Sequence, residues 1–113
     1  MQMFMNKPFV LIESPYAGDV EGNVAYAEAA ILDSLHRGEA PFASHLFYTR
    51  MLDDLDPAER EMGIEAGLAI GKFASKTVVY IDRGISAGMD YGIARAESEG
   101  REVEYRSLFE PTE

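Results

Sequence analysis

The spacing of apolar and polar positions changes several times along the chain, and each change marks an element. Phe9-Val10-Leu11-Ile12 is an unbroken apolar run that stops at Glu13-Ser14-Pro15-Tyr16-Ala17-Gly18. A short run of this kind predicts a strand buried on both faces, and Pro15 and Gly18 end it in a turn. Asp19 then predicts a helix N-cap. Val20, Val24, Ala27, Ile31 and Leu35 follow at helical spacing, and Gly38 after His36-Arg37 predicts the exit. Ala40-Pro41-Phe42-Ala43 predicts a short second strand, which Pro41 assigns to a sheet edge. Ser44 to Tyr48 reads as a loop or a short helix.

Asp56-Pro57-Ala58-Glu59 opens a further helix: Asp caps, Pro takes the first helical position, and Glu sits where a capping box places it. Met62, Ala66, Ala69, Ile70 and Phe73 form its apolar stripe. Gly63, Gly67 and Gly71 also recur along it. Each glycine costs about 0.5–1 kcal/mol relative to alanine in a helix. The series therefore predicts close packing against a neighbouring element or a second subunit, the alternative being glycines that are merely tolerated. Thr77-Val78-Val79-Tyr80-Ile81 is the clearest strand, rich in β-branched and aromatic residues. Asp82 to Gly88 turns into a helix over Ala87 to Glu99 that Gly100 ends, and Glu102 to Arg106 alternates as a half-exposed last strand. The tail from Phe109 to Glu113 is expected to fray. No repeat or low-complexity linker divides residues 1–113, which read as one domain.

Alternating strands and helices predict an α/β domain: a small three-layer sandwich with a mainly parallel four-stranded sheet, flavodoxin- or Rossmann-like, joined by right-handed crossovers. With strand order 2-1-3-4, the topology reverses between the first and third strands. Ligands of such sheets bind at the carboxyl ends of the strands at that reversal. The loops Ser14 to Gly18 and Asp82 to Gly88 lie there.

Charge narrows the classes of partner. Acidic residues number 20 against 10 basic ones, a net charge of −10. Broad nucleic-acid or anionic-membrane binding needs clustered Lys and Arg, so neither is expected. One nucleotide held by backbone amides and a few donors stays compatible. The chain has no cysteine, which removes disulfides, cysteine-ligated zinc and a cysteine nucleophile. No cofactor or metal is expected. The start has no signal-peptide pattern and no apolar run approaches membrane-spanning length, so a cytoplasmic protein is expected.

Gly84-Ile85-Ser86-Ala87-Gly88 matches the nucleophile-elbow pattern in a strand-turn-helix setting. That mechanism needs a histidine after the serine, and His36 and His45 both precede it, so Ser86 is not read as a nucleophile. The turn can instead hold a phosphate, with Ser86 supplying a hydroxyl, Arg83 a cation, and the helix N-terminus free amides. Equally, Ser86 can simply cap the helix. His45 beside Ser44 and Tyr48 can face the same cleft or remain a surface group. Tyr16 can stack on a base or pack within its loop. Glu61 and Glu65 share a helix face without a cation between them, which suits a solvated face or a catalytic or ribose-binding carboxylate. Asp82 can contact a ligand or cap its own turn.

Three segments together carry a resemblance: Ser14-Pro15-Tyr16-Ala17-Gly18-Asp19 with Asn23, Ser44-His45-Leu46-Phe47-Tyr48-Thr49, and Asp82-Arg83-Gly84-Ile85-Ser86-Ala87-Gly88-Met89. Over roughly residues 9 to 108 the chain resembles a family of small uncharacterised bacterial and phage proteins, itself similar to the nucleoside 2-deoxyribosyltransferase and nucleotide N-glycosidase group. The resemblance implies a cleft for a nucleotide or nucleoside, with Ser14, Tyr16, Gly18, Asn23, His45, Tyr48, Asp82, Gly84, Ser86, Gly88 and Met89 as substrate-binding residues. It also implies a homo-oligomer. The group cleaves the bond between base and deoxyribose with a glutamate in a Ser-x-Gly-x-x-x-Glu pattern. Here Ser86 and Gly88 match, but Gly92 stands in the glutamate's place, and Asp90 comes two residues early on another side of the helix. No covalent ribosyl intermediate can form on glycine. Glu65, on another helix, is the candidate replacement carboxylate. A non-catalytic nucleotide sensor or sequestering protein and a structural homo-oligomeric interaction module are the alternatives.

Overall fold

The computed structural model describes residues 7–109, and the expected fraying of Glu110 to Glu113 lies outside them. Chain order is β1 (Phe9–Glu13), α1 (Val20–His36), β2 (Ala40–Phe42), α2 (Ser44–Phe47), a 3-10 turn (Tyr48–Arg50), α3 (Pro57–Gly71), β3 (Lys76–Tyr80), α4 (Ala87–Ser98) and β4 (Glu102–Arg106). The sheet order is β2-β1-β3-β4 with every pair parallel, so the chain is an α/β domain whose strand order reverses between β1 and β3. Leu11 pairs with Phe42 on one side and Thr77 on the other.

Alternation along the strands sends side chains to two faces, and helices cover both. On one face Val10, Ile12, Val78 and Tyr80 pack with Tyr26 and Ala30 of α1. On the other, Leu11 packs with Leu68 of α3, and Val79 with Met89 and Ile93 of α4. The result is three layers, with β2 at one edge, as Pro41 requires, and β4 at the other. On the α1 side, Arg106 holds Glu39 through two bonds of 2.6 and 2.9 Å and also donates to the Tyr80 hydroxyl at 3.0 Å.

The caps follow the sequence. Asp19 accepts from the Gly22 amide at 3.2 Å, Asp56 from Ala58 at 3.0 Å, and Ser86 from Met89 at 3.3 Å. Glu59 departs from the capping-box reading, because its carboxylate accepts from the Asp53 amide at 2.6 Å.

The inward faces of α1 and α3 differ from the expected stripes. In α1 the buried residues are Asn23, Tyr26, Ala27, Ala30 and Ser34, whereas Val20 and Leu35 are exposed. Small residues let this face sit close to the sheet, and its polar members are bonded: the Ser34 hydroxyl donates to Glu39 at 2.7 Å. In α3 the buried residues are Gly67, Leu68 and Gly71, and Met62 and Phe73 face outward at 60% and 75% exposure. The glycines decide this. A Cβ on Gly67 would lie 2.2 Å from Ser44 Oγ, and one on Gly71 would lie 2.5 Å from Leu11 Cδ2. A Cβ on Gly63 would come within 3.2 Å of Leu52. The close packing expected of the glycine series is thus used within the chain, against α2, β1 and the segment before α3.

Candidate functional site

β1 ends at Glu13, β3 runs into the glycine turn, and α2 with the 3-10 turn closes one side. These elements, the first half of α3 and the start of α4 enclose a cavity of about 300 Å³. It lies at the carboxyl ends of β1 and β3, where the strand order reverses. Glu13, Ser14, Tyr16, Ser44, His45, Tyr48, Thr49, Asp54, Glu59, Arg60, Ser86 and Gly88 supply its polar wall, and Ile12, Leu52, Ile64, Leu68 and Met89 its apolar one.

Gly84, with φ of +86°, turns the chain after β3, in the region that disfavours any residue with a Cβ. Ser86 is extended and caps α4, and its own amide donates to Met89 Sδ at 3.3 Å. The first turn of α4 therefore meets the cavity with backbone N–H groups that have no partner within the helix. Arg60 Nη2 lies 3.9 Å from where a Cβ on Gly88 would be, which brings a guanidinium beside that turn. Its other terminal nitrogen reaches Asp54 at 3.4 Å.

Two ionisable groups in the wall hold unusual protonation states. Burial pushes the Glu13 carboxyl up to about 8, and the charge of Arg101 offsets only part of that. Among the described residues no side chain or amide hydrogen-bonds to this carboxyl. Its place is made by Gly92, where a Cβ would fall 2.1 Å from Glu13 Oε2. Burial lowers His45 to about 4, which leaves a neutral imidazole at physiological pH. Its Nε2 lies 2.7 Å from the hydroxyl of buried Ser14, and its carbonyl accepts from Thr49 Oγ1 at 2.8 Å.

Of the residues singled out in the sequence, Ser14, Tyr16, His45, Tyr48, Ser86, Gly88 and Met89 line the cavity; Gly18, Asn23, Asp82, Gly84 and Glu65 do not. The outlying polar groups have structural work. Asn23 donates to the carbonyls of Tyr16 and Ala17 at 2.9 and 3.1 Å and accepts from Arg83 at 2.8 Å, which fixes the loop that presents Tyr16. Arg83 also bonds Asp19 at 3.1 Å, so the cation expected for a phosphate is spent on the α1 cap, and Arg60 stands by the turn instead. Asp82 accepts from Tyr26 at 2.6 Å, from the Leu108 amide at 2.8 Å and from Ser107. Burial alone would raise its carboxyl, but the bonds from Leu108, Ser107 and Tyr26 outweigh burial and hold it below the usual range. Glu65 accepts from Tyr91 and from Arg95 at 2.8 Å, an exposed clasp between α3 and α4. Those two bonds hold its carboxyl low, so the candidate replacement carboxylate is occupied outside the cavity.

Glu13 and Arg60 are cavity residues that the sequence reading did not single out. Glu13 carried a usable signal, since it is the charged residue directly after the apolar run of a central parallel strand. Arg60 carried none beyond its place in the first turns of a helix. Among the described residues no group of three or more His, Asp or Glu is placed to hold a metal, and no helix is long and apolar enough to cross a membrane.

A parallel sheet whose strand order reverses, with a polar-walled cavity at that reversal, defines an open, doubly wound α/β domain. The chain belongs to the family DUF7768, a domain of unknown function, whose model matches residues 8–106. No curated protein matches the chain.

Proposed function

We propose that the cavity binds a nucleotide or nucleoside and that the protein acts on its N-glycosidic bond, by hydrolysis or deoxyribosyl transfer. The observation that carries the reading is the joint presence, in one cavity of about 300 Å³, of a helix N-terminus, a nearby guanidinium, an aromatic loop and an unpaired carboxyl. The start of α4 and Arg60 suit a phosphate. Tyr16 suits a base or ribose, and Ser14 with His45 offers hydrogen bonds to a sugar. The resemblance to the deoxyribosyltransferase and N-glycosidase group supports the same substrate class.

Gly92 favours a second reading, a non-catalytic nucleotide sensor or sequestering protein, because the group's usual glutamate is missing. One experiment separates the two. The protein is incubated with the common ribo- and deoxynucleoside 5′-monophosphates and their nucleosides, thermal shift is followed, and released base is measured by chromatography. Stabilisation with base release supports the enzyme, and stabilisation without release supports the binder. Neither effect across the panel would discard both.

A further inference from the structure

We propose that Glu13 is the proton donor of this cavity, carried on the end of β1 into the space that Gly92 leaves open, and that it meets a hydrogen-bond-accepting ring nitrogen of a nucleobase. This rests on the nucleotide reading of the cavity and names the group that would break the bond.

The geometry is specific. A side chain at position 92 and the Glu13 carboxyl cannot share the space, since a Cβ there would fall 2.1 Å from Oε2 and 2.7 Å from Cδ. Glycine at this buried helical position is therefore the counterpart of Glu13, and the site holds one carboxyl, delivered from the strand. That carboxyl has no hydrogen-bond or ion-pair partner among the described residues, although it lines an open cavity. Open to the cavity and without such a partner, it is a hydrogen-bonding group that a ligand in the cavity can meet.

The surrounding charges fit a neutral acid. Arg101, next to β4, is the cation that acts on Glu13, and it does not cancel the effect of burial. From α2, His45 is neutral. From α3 and the segment before it, Arg60 pairs with Asp54, and Glu59 bonds the Asp53 amide. The cavity-lining residues of α4 and its cap are Ser86, Ala87, Gly88, Met89 and Gly92, and none is an acid or base near neutral pH. The carboxyl thus keeps its proton to about pH 8, as a general acid working near neutrality requires.

In the step this allows, the carboxyl proton passes to the base nitrogen as the C1′–N bond breaks with its electron pair leaving on the base. Water adds its oxygen to C1′, and the proton it loses returns to the Glu13 carboxylate. The products are free base and sugar hydroxyl, and the acid is regenerated.

Two measurements on the full chain test this. In protein labelled with 13C-glutamate, the Glu13 carboxyl signal, assigned by its loss in Glu13→Gln, is expected to titrate near 8. Titration in the ordinary glutamate range would overturn the proposal. With the deoxynucleoside monophosphate panel, Glu13→Gln is expected to keep the thermal shift, because an amide can still hydrogen-bond, and to lose base release by roughly 100-fold or more. Base release equal to that of the wild type would also overturn it. Failure of the nucleotide reading looks different: the wild type then shows neither thermal shift nor base release, and Glu13's part falls with it.

Discussion

Taking the protein from pH 6.5 to pH 8 should cost it stability through one side chain, Glu13. Burial pushes its carboxyl from 4.5 to about 8, so over this interval the unfolded chain has shed a proton that the folded chain still holds. Stability then falls by about 1.4 kcal/mol per pH unit, or about 2 kcal/mol across the interval. Water reaching the carboxyl through the cavity mouth reduces this to about 1–2 kcal/mol. Below pH 6.5 the slope is masked. His45 is lowered from 6.5 to about 4, so there the unfolded chain binds a proton that the folded chain refuses, and its contribution rises with pH. The two slopes are opposite and offset each other between 4.5 and 6.5. The informative window is therefore the alkaline one. Urea unfolding of wild type and Glu13→Gln at several pH values within it is the assay. The glutamine variant should be level where the wild type declines, so the gap between them widens with pH. Parallel curves would refute the buried, proton-holding carboxyl.

Gly92→Ala must displace the Glu13 carboxyl, the movable end of a side chain that can swing into the cavity, and should cost no more than about 1 kcal/mol in urea unfolding. Most of that cost should vanish in a Glu13→Ala background, and additive costs would deny that the two positions share one space. An exposed helical Gly→Ala change stabilises by about 0.5–1 kcal/mol. Gly67→Ala, with its Cβ 2.2 Å from Ser44 Oγ, should instead lower the melting temperature, and a rise would refute the α2–α3 contact. Arg106→Met leaves Glu39 buried without its bidentate partner and should cost about 3–5 kcal/mol by urea titration, so a change within error would show the pair to be dispensable.

The site was legible in part. Given the strand order 2-1-3-4, the loop after β1, the helix start after β3 and the segment after β2 fall around one cleft, and Tyr16, His45 and Ser86 do face it. Asn23, Arg83 and Asp82 were equally polar and equally near the turns, yet Asn23 bonds the loop carbonyls and Arg83, Arg83 also bonds Asp19, and Asp82 accepts from Tyr26, Ser107 and the Leu108 amide. Nothing in residue type separates a polar group that binds a ligand from one that ties two loops together, because the partner comes from a distant element. The replacement carboxylate shows the same limit. Glu65 and Glu13 are both plausible carboxylates in sequence, but Arg95 and Tyr91 claim the first, and a cavity surrounds the second.

Whereas the order β2-β1-β3-β4, and with it the reversal, was a condition that the tertiary structure met, the sequence by itself determined the element order, the caps at Asp19, Asp56 and Ser86 and the parallel character of the sheet. These depend on local spacing, on backbone preferences and on the handedness of short connections, all of which neighbouring residues encode. Only the tertiary structure decided which faces of α1 and α3 turn inward. In α3 the expected stripe lost to a glycine face because close approach to α2 and β1 leaves no room for a Cβ at Gly67 or Gly71, and in α1 it lost to a mixed face of Asn23, Tyr26, Ala27, Ala30 and Ser34. It alone also showed that Gly92 is a space and Glu13 its occupant. The two meet because the packing of α4 on the sheet brings the helix backbone onto the end of β1, and no local pattern records that distance.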